Sequence, residues 1–158
     1  MFRKTAGIVV AVLLAGAGVA HAAGGSLTDP KGDFPDIVKL TYDNGRSKVT
    51  MTMTYAGDRP QNESFYISWD KSGKRYQVFN SPSANIRELR YYATKNAAAK
   101  ETRCSGLRVT QPSATSTKVV VPRSCLKKAA DKLRFQGVAT EGLSSSDETK
   151  VSKAVARG

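Results

Sequence analysis

The sequence predicts an all-β protein, an antiparallel β-sandwich closed by one disulfide. Three observations carry that expectation. Short alternating apolar-polar segments recur about every eight to twelve residues with Gly, Pro, Asn or Ser between them, which is the pacing of sandwiches and barrels. Beyond residue 22 no long stretch keeps the period of an amphipathic helix. Two cysteines, Cys104 and Cys125, stand in a chain that begins like an exported one.

Taken in order, residues 23–36 read as an irregular opening. Gly24-Gly25-Ser26 is flexible, and Pro30, Gly32 and Pro35 punctuate the rest of the segment. The sandwich is expected over 37–140. Ile37 to Tyr42 and Lys48 to Tyr55 flank Asp43-Asn44-Gly45-Arg46, a type I′ hairpin signal. With Asn44 and Gly45 as the turn pair, Leu40 faces Val49 and Val38 faces Met51 on an apolar face. Thr41 then faces Lys48, and Lys39 faces Thr50, on a polar one. Phe65 to Asp70 sets Phe65, Ile67 and Trp69 on one side, and Lys71-Ser72-Gly73-Lys74 turns the chain into Arg75 to Asn80. In the segment Ile86 to Tyr92, Ile86 and Leu89 suit a helix whereas Tyr91 and Tyr92 suit a strand; strand is favoured. Residues 93–101, with three consecutive alanines, form a loop or a single helical turn. Leu107 to Gln111 and Lys118 to Val121 are strands, and Leu133 to Ala139 closes the set. Residues 141–158 are polar and Ser-rich and read as an extended tail.

Residues 1–22 have the build of a cleavable signal peptide. Arg3 and Lys4 precede an apolar run from Ile8 to Val19, which ends on the small-residue triplet Ala20-His21-Ala22. The run is shorter than the roughly 20 residues a membrane span needs. An exported, extracellular or envelope-associated protein with no transmembrane anchor after cleavage is the expectation. Oxidising surroundings then favour a Cys104–Cys125 disulfide, whose loop of about 20 residues stabilises the fold by roughly 3 kcal/mol on a chain-entropy account.

Cleavage also changes the available chemistry. The chain carries 25 basic against 13 acidic residues and a net charge of +12; losing Arg3 and Lys4 leaves about +10. The only histidine, His21, leaves with the leader. Histidine-dependent nucleophile systems, imidazole general bases and zinc sites that rely on His are thereby excluded from the mature chain.

Asp29-Pro30-Lys31-Gly32-Asp33 followed by Pro35-Asp36-Ile37-Val38, the stretch Val121-Pro122-Arg123-Ser124-Cys125-Leu126, and the ending Ala154-Val155-Ala156-Arg157-Gly158 resemble small secreted β-sandwich proteins of actinobacteria. The resemblance implies an exported, jelly-roll-like sandwich with a cysteine pair, and it brings no catalytic residues. The opening stretch also looks like the first strand of family-nine carbohydrate-binding modules and related sandwiches.

The residues suggest three kinds of site. Asp29, Asp33 and Asp36 lie close together among bends, so their carboxylates are candidates for holding calcium, although the spacing is not that of an EF-hand. The competing role is turn capping. Lys39, Lys48, Lys74, Arg75, Arg87, Arg90 and Arg108 are candidates for attracting a polyanion such as a phosphate-rich wall polymer. Nothing in the pattern reads a specific nucleic-acid sequence. Trp69, the only tryptophan, is a candidate sugar platform, but its alternation with Phe65 and Ile67 places it in the core. Carboxylate chemistry would have to draw on Asp70, Glu88, Glu101 or Asp131, no two of which a motif brings together. The reading reached is a secreted, non-catalytic β-sandwich that binds envelope polyanions. A calcium-assisted carbohydrate-binding module and a small carboxylate hydrolase are its alternatives, and the oligomeric state stays open.

Overall fold

The computed structural model describes residues 23–29, 32, 34–143 and 145–158. Residues 1–22, read as a leader, and Asp33 lie outside the described residues. The chain folds into two antiparallel sheets packed as a sandwich. Among the described residues eleven strands build them: β1 (Ala23–Thr28), β2 (Ile37–Asn44), β3 (Lys48–Tyr55), β4 (Asn62–Ser68), β5 (Arg75–Ser81), β6 (Ile86–Tyr92), β7 (Lys100–Thr102), β8 (Arg108–Ser113), β9 (Ser116–Pro122), β10 (Arg134–Glu141) and β11 (Ser145–Glu148). The first sheet runs β1-β2-β3-β9-β8 and the second β11-β10-β4-β5-β6-β7.

Alternation places the core between the sheets. Leu40, Val49, Met51, Met53, Val119 and Val121 point inward from the first sheet, and Phe65, Ile67, Val78, Leu89 and Phe135 from the second, all nearly inaccessible to water. Burial of this apolar set is the main driving force of the fold. Gly137 permits close packing, because a Cβ there would lie within 3.1 Å of both Sδ and Cγ of Met53 in the opposite sheet. The Cys104–Cys125 disulfide is formed, with the two Cα atoms 5.2 Å apart.

The first hairpin is corrected in register. Leu40 pairs with Met53, Tyr42 with Met51 and Asn44 with Val49, so the chain reverses around Arg46 and Ser47 rather than at Asn44-Gly45. Each partner moves by four residues, an even number, so the faces survive the change. Asn44 is not free to turn. Its side chain is fully buried, donates to the carbonyls of Asp131 at 2.9 Å and Val155 at 2.7 Å, and accepts from Arg123. The register shifts between Ile37 and Lys39, which leaves Val38 as the extra residue; Ile37 is fully buried and Val38 only half-buried.

At both ends of the described residues the chain is more ordered than its composition indicates. Ala23–Thr28, read as part of an irregular opening, is an edge strand on β2. Gly25 makes room for the ring of Tyr42, whose Oη would sit 2.7 Å from a Cβ at that position. That ring stacks on Phe135 of the other sheet at 4.7 Å.

At the other end, the segment read as a polar tail supplies β11 and then continues along β10. Thr149 N–H donates to Gly137 O, and Thr149 Oγ1 accepts from Gly137 N–H at 3.0 Å. Ser152 repeats the exchange with Phe135, and Val155 bridges to Leu133. Thr149 and Ser152 are buried because their hydroxyls stand in for missing backbone acceptors.

The second hairpin and β6 lie where expected. Ser68 pairs with Arg75 across the second hairpin, and Ile86–Tyr92 is a strand. Residues 93–101, read as a loop or a single helical turn, contain turns only up to residue 99; Lys100 and Glu101 pair with Tyr91 and Arg90 and so begin the edge strand β7. Among the described residues no helix is long and apolar enough to cross a membrane.

Candidate functional site

The cations singled out in the sequence do not form one field. Lys39 and Lys48 are exposed on the first sheet, but in the observed register Lys39 faces Thr54 and Lys48 faces Pro122, toward opposite ends of the hairpin. Arg108 is exposed on the edge strand β8 of the same sheet. The others belong to the second sheet. Lys74 pairs with Asp70 at 3.6 Å, and Arg87 is exposed on β6. Arg90 pairs with Glu88 at 2.7 Å and lies 4.3 Å over the Phe79 ring. Arg75 lies between two tyrosines, 4.5 Å from the Tyr92 ring centre and 5.4 Å from that of Tyr66.

A different set of cations converges. Beside β7, a groove of about 290 Å³ is lined by Lys100, Arg103, Lys127 and Lys128, with Glu101 as its one acid. Its floor is aromatic. Tyr91 and Tyr76 face each other at 5.3 Å, and Trp69 stacks on Tyr91 at 6.3 Å, so Trp69 packs half-buried behind the groove. Lys100 stands directly opposite Tyr91 in the strand ladder and so shares its face. The Lys128 ammonium lies 4.4 Å over the Tyr91 ring, and its backbone N–H donates to Tyr76 Oη at 3.3 Å. Burial pushes the Tyr76 phenol up, so that it stays a neutral hydroxyl.

The disulfide joins the two walls. Arg103 precedes Cys104 on one side, while Cys125, in a short 3-10 turn over Arg123–Cys125, leads into Lys127 and Lys128 on the other. Among the described residues none of the four groove cations has a carboxylate within ion-pair distance. The groove therefore keeps three units of uncompensated positive charge against its aromatic floor. Sequence reasoning passed over these residues, although a signal was present. Once Cys104 is bonded to Cys125, the basic residues flanking both become neighbours.

The acidic candidates divide. Asp36 is buried, and neither of its oxygens has a partner among the described residues. Asp29 is half-buried; burial, with the charges of Asp147 and Asp36, holds its carboxyl above the usual range against a lowering by Lys150. Asp147 accepts from the backbone N–H of Ile37 at 2.7 Å and thereby ties β11 to the start of β2. Among the described residues no three His, Cys, Asp or Glu side chains stand together as a metal ion requires.

The carboxylates considered for hydrolysis occupy separate settings. Asp70 accepts from the hydroxyl and backbone of Ser72, which hold its carboxyl below the usual range. Glu88 is paired with Arg90, Asp131 lies 3.4 Å from Arg157, and Glu101 stands on the groove wall.

No family model, curated protein or solved structure matches this chain.

Proposed function

We propose that the mature chain is an exported, non-catalytic binding protein whose β7 groove takes a polyanionic polymer of the cell envelope. The observation that carries this reading is the convergence of Lys100, Arg103, Lys127 and Lys128 on one groove, without carboxylate partners among the described residues. Cations already paired with a carboxylate, as Arg90 is with Glu88, have less to offer a ligand. Exposed cations over an aromatic floor attract spaced negative charges and exchange their counterions for them. Lys100, Arg103, Lys127 and Lys128 are all exposed, which suits a linear polymer passing across the groove.

Two measurements test the proposal. Cells producing the full chain are fractionated into medium, salt-washed wall and membrane, and the purified protein is titrated with poly(glycerol phosphate). The protein should leave the wall fraction with salt, and its affinity for the polymer should fall steeply as salt rises. Affinity unchanged between low and high salt, or unchanged by Lys127→Glu with Lys128→Glu, overturns the reading.

A further inference from the structure

The outer face of the second sheet carries a concavity of a different kind. It measures about 320 Å³ and is lined by Tyr66, Arg75, Gln136, Val138 and Glu148. The strand ladder explains the grouping: Gln136 lies opposite Tyr66, and Val138 opposite Glu148. With one guanidinium and one carboxylate, the concavity has no net charge.

Its aromatic wall is held in place. Tyr92 Oη donates to Gln77 Oε1 at 2.7 Å, and Gln77 Nε2 donates to Ser64 Oγ at 2.8 Å and to Tyr66 Oη at 3.3 Å. Gln77 is itself only 5% exposed although it lies on the outer face, so this network resists rearrangement. The guanidinium of Arg75 is held between the two rings that Gln77 anchors. Its Nε is buried and has no acceptor among the described residues. Glu148 receives only a long 3.4 Å contact from Gln136 and keeps acceptor capacity.

We propose that this concavity is a binding site for an uncharged saccharide ring within an oligosaccharide. A sugar presents hydroxyls that both donate and accept alongside a C–H face. An acceptor for Arg75, a donor for Glu148 and an apolar face for Tyr66 and Val138 together match that chemistry. A phosphate would meet the Glu148 carboxylate, and a purely apolar ligand would leave the polar groups unpaired. The site is separate from the β7 groove and stands or falls independently of it.

The test uses the full mature chain at high salt, which suppresses the groove, titrated with tetramers of glucose and of N-acetylglucosamine and followed by chemical-shift perturbation. One tetramer should bind with an affinity independent of salt. Tyr66→Ala should weaken it about tenfold, equivalent to roughly 1.4 kcal/mol, and Glu148→Gln several-fold. Glu148 is exposed, so the second variant decides the matter if Tyr66→Ala does not fold. The proposal is overturned if neither tetramer binds or if binding survives Glu148→Gln unchanged. It is equally overturned if binding is abolished by the groove variant Lys127→Glu with Lys128→Glu.

Discussion

The β7 groove and the outer face of the second sheet share Arg, Tyr and Glu, yet they differ in what those residues already do. In the groove the four cations have no acidic partner among the described residues, and the two walls come from segments about 20 residues apart, joined by the disulfide. On the outer face two cations are engaged: Arg75 lies between Tyr66 and Tyr92, and Arg90 is on Phe79 and Glu88. The same side chains thus make a field in one place and a fixed surface in the other. Count of basic residues is a poor guide to an anion site; the fraction left unpaired is the better one.

That contrast can be broken most severely at the disulfide. Replacing Cys104 and Cys125 together by Ala should lower stability by about 3 kcal/mol and uncouple the groove walls. Denaturant melts and the two titrations check this: polymer affinity should collapse while saccharide affinity in the folded fraction persists. Equal loss at both sites would mean that the groove has no special dependence on the bond.

A narrower cut is Lys127→Glu with Lys128→Glu. The slope of log affinity against log salt should fall by roughly 0.7 to 0.9 for each phosphate contact removed, with the thermal midpoint nearly unchanged. Polymer titrations at a series of salt concentrations give the slope directly.

Tyr55→Phe supplies a control away from both sites. Tyr55 Oη donates to the buried Glu63 carboxylate at 2.7 Å, and Asn80 donates to its other oxygen. Loss of the Tyr55 donor should cost about 1–3 kcal/mol without moving either affinity. Burial, reinforced by Glu63, raises the Tyr55 phenol above its ordinary value. Below a pH of about 10 both folded and unfolded chains keep the proton, so its contribution is complete. Above that, the unfolded chain releases a proton that the folded one retains, and stability falls as pH rises. In Tyr55→Phe the alkaline fall should be shallower, as pH-dependent melts would show.

The smallest effect is expected from Tyr92→Phe, which removes the donor to Gln77. Stability should drop by about 1 kcal/mol. Saccharide affinity should weaken two- to threefold through the loosened Tyr66 ring, and polymer affinity should stay as it was. A change confined to polymer binding would reverse the assignment of the two sites.

Much of the fold was legible along the chain, for identifiable reasons. Phe65 and Ile67 alternate cleanly, so β4 and its hairpin with β5 follow from the period alone. The pattern failed where polar side chains take structural work. Asn44 resembles a turn residue but anchors three segments, which moved the first turn to Arg46 and Ser47. Thr149 and Ser152 look like tail residues, but they complete the hydrogen bonding of β10. Gly25 looks flexible, but it clears space for Tyr42. No periodicity rule registers such uses, because each depends on a partner remote in sequence.

By itself the sequence determined the all-β class, the facing of most strands and the cysteine pairing, since alternation and local turn chemistry act between near neighbours and only two cysteines were present to pair. The tertiary structure alone decided which cations remain unpaired and which residues share a concavity. Lys100 and Lys128 meet across the β7 groove, and Tyr66 meets Glu148 across three strands. Charge pairing and cavity lining depend on distances through space, and those exist only once the sheets have packed.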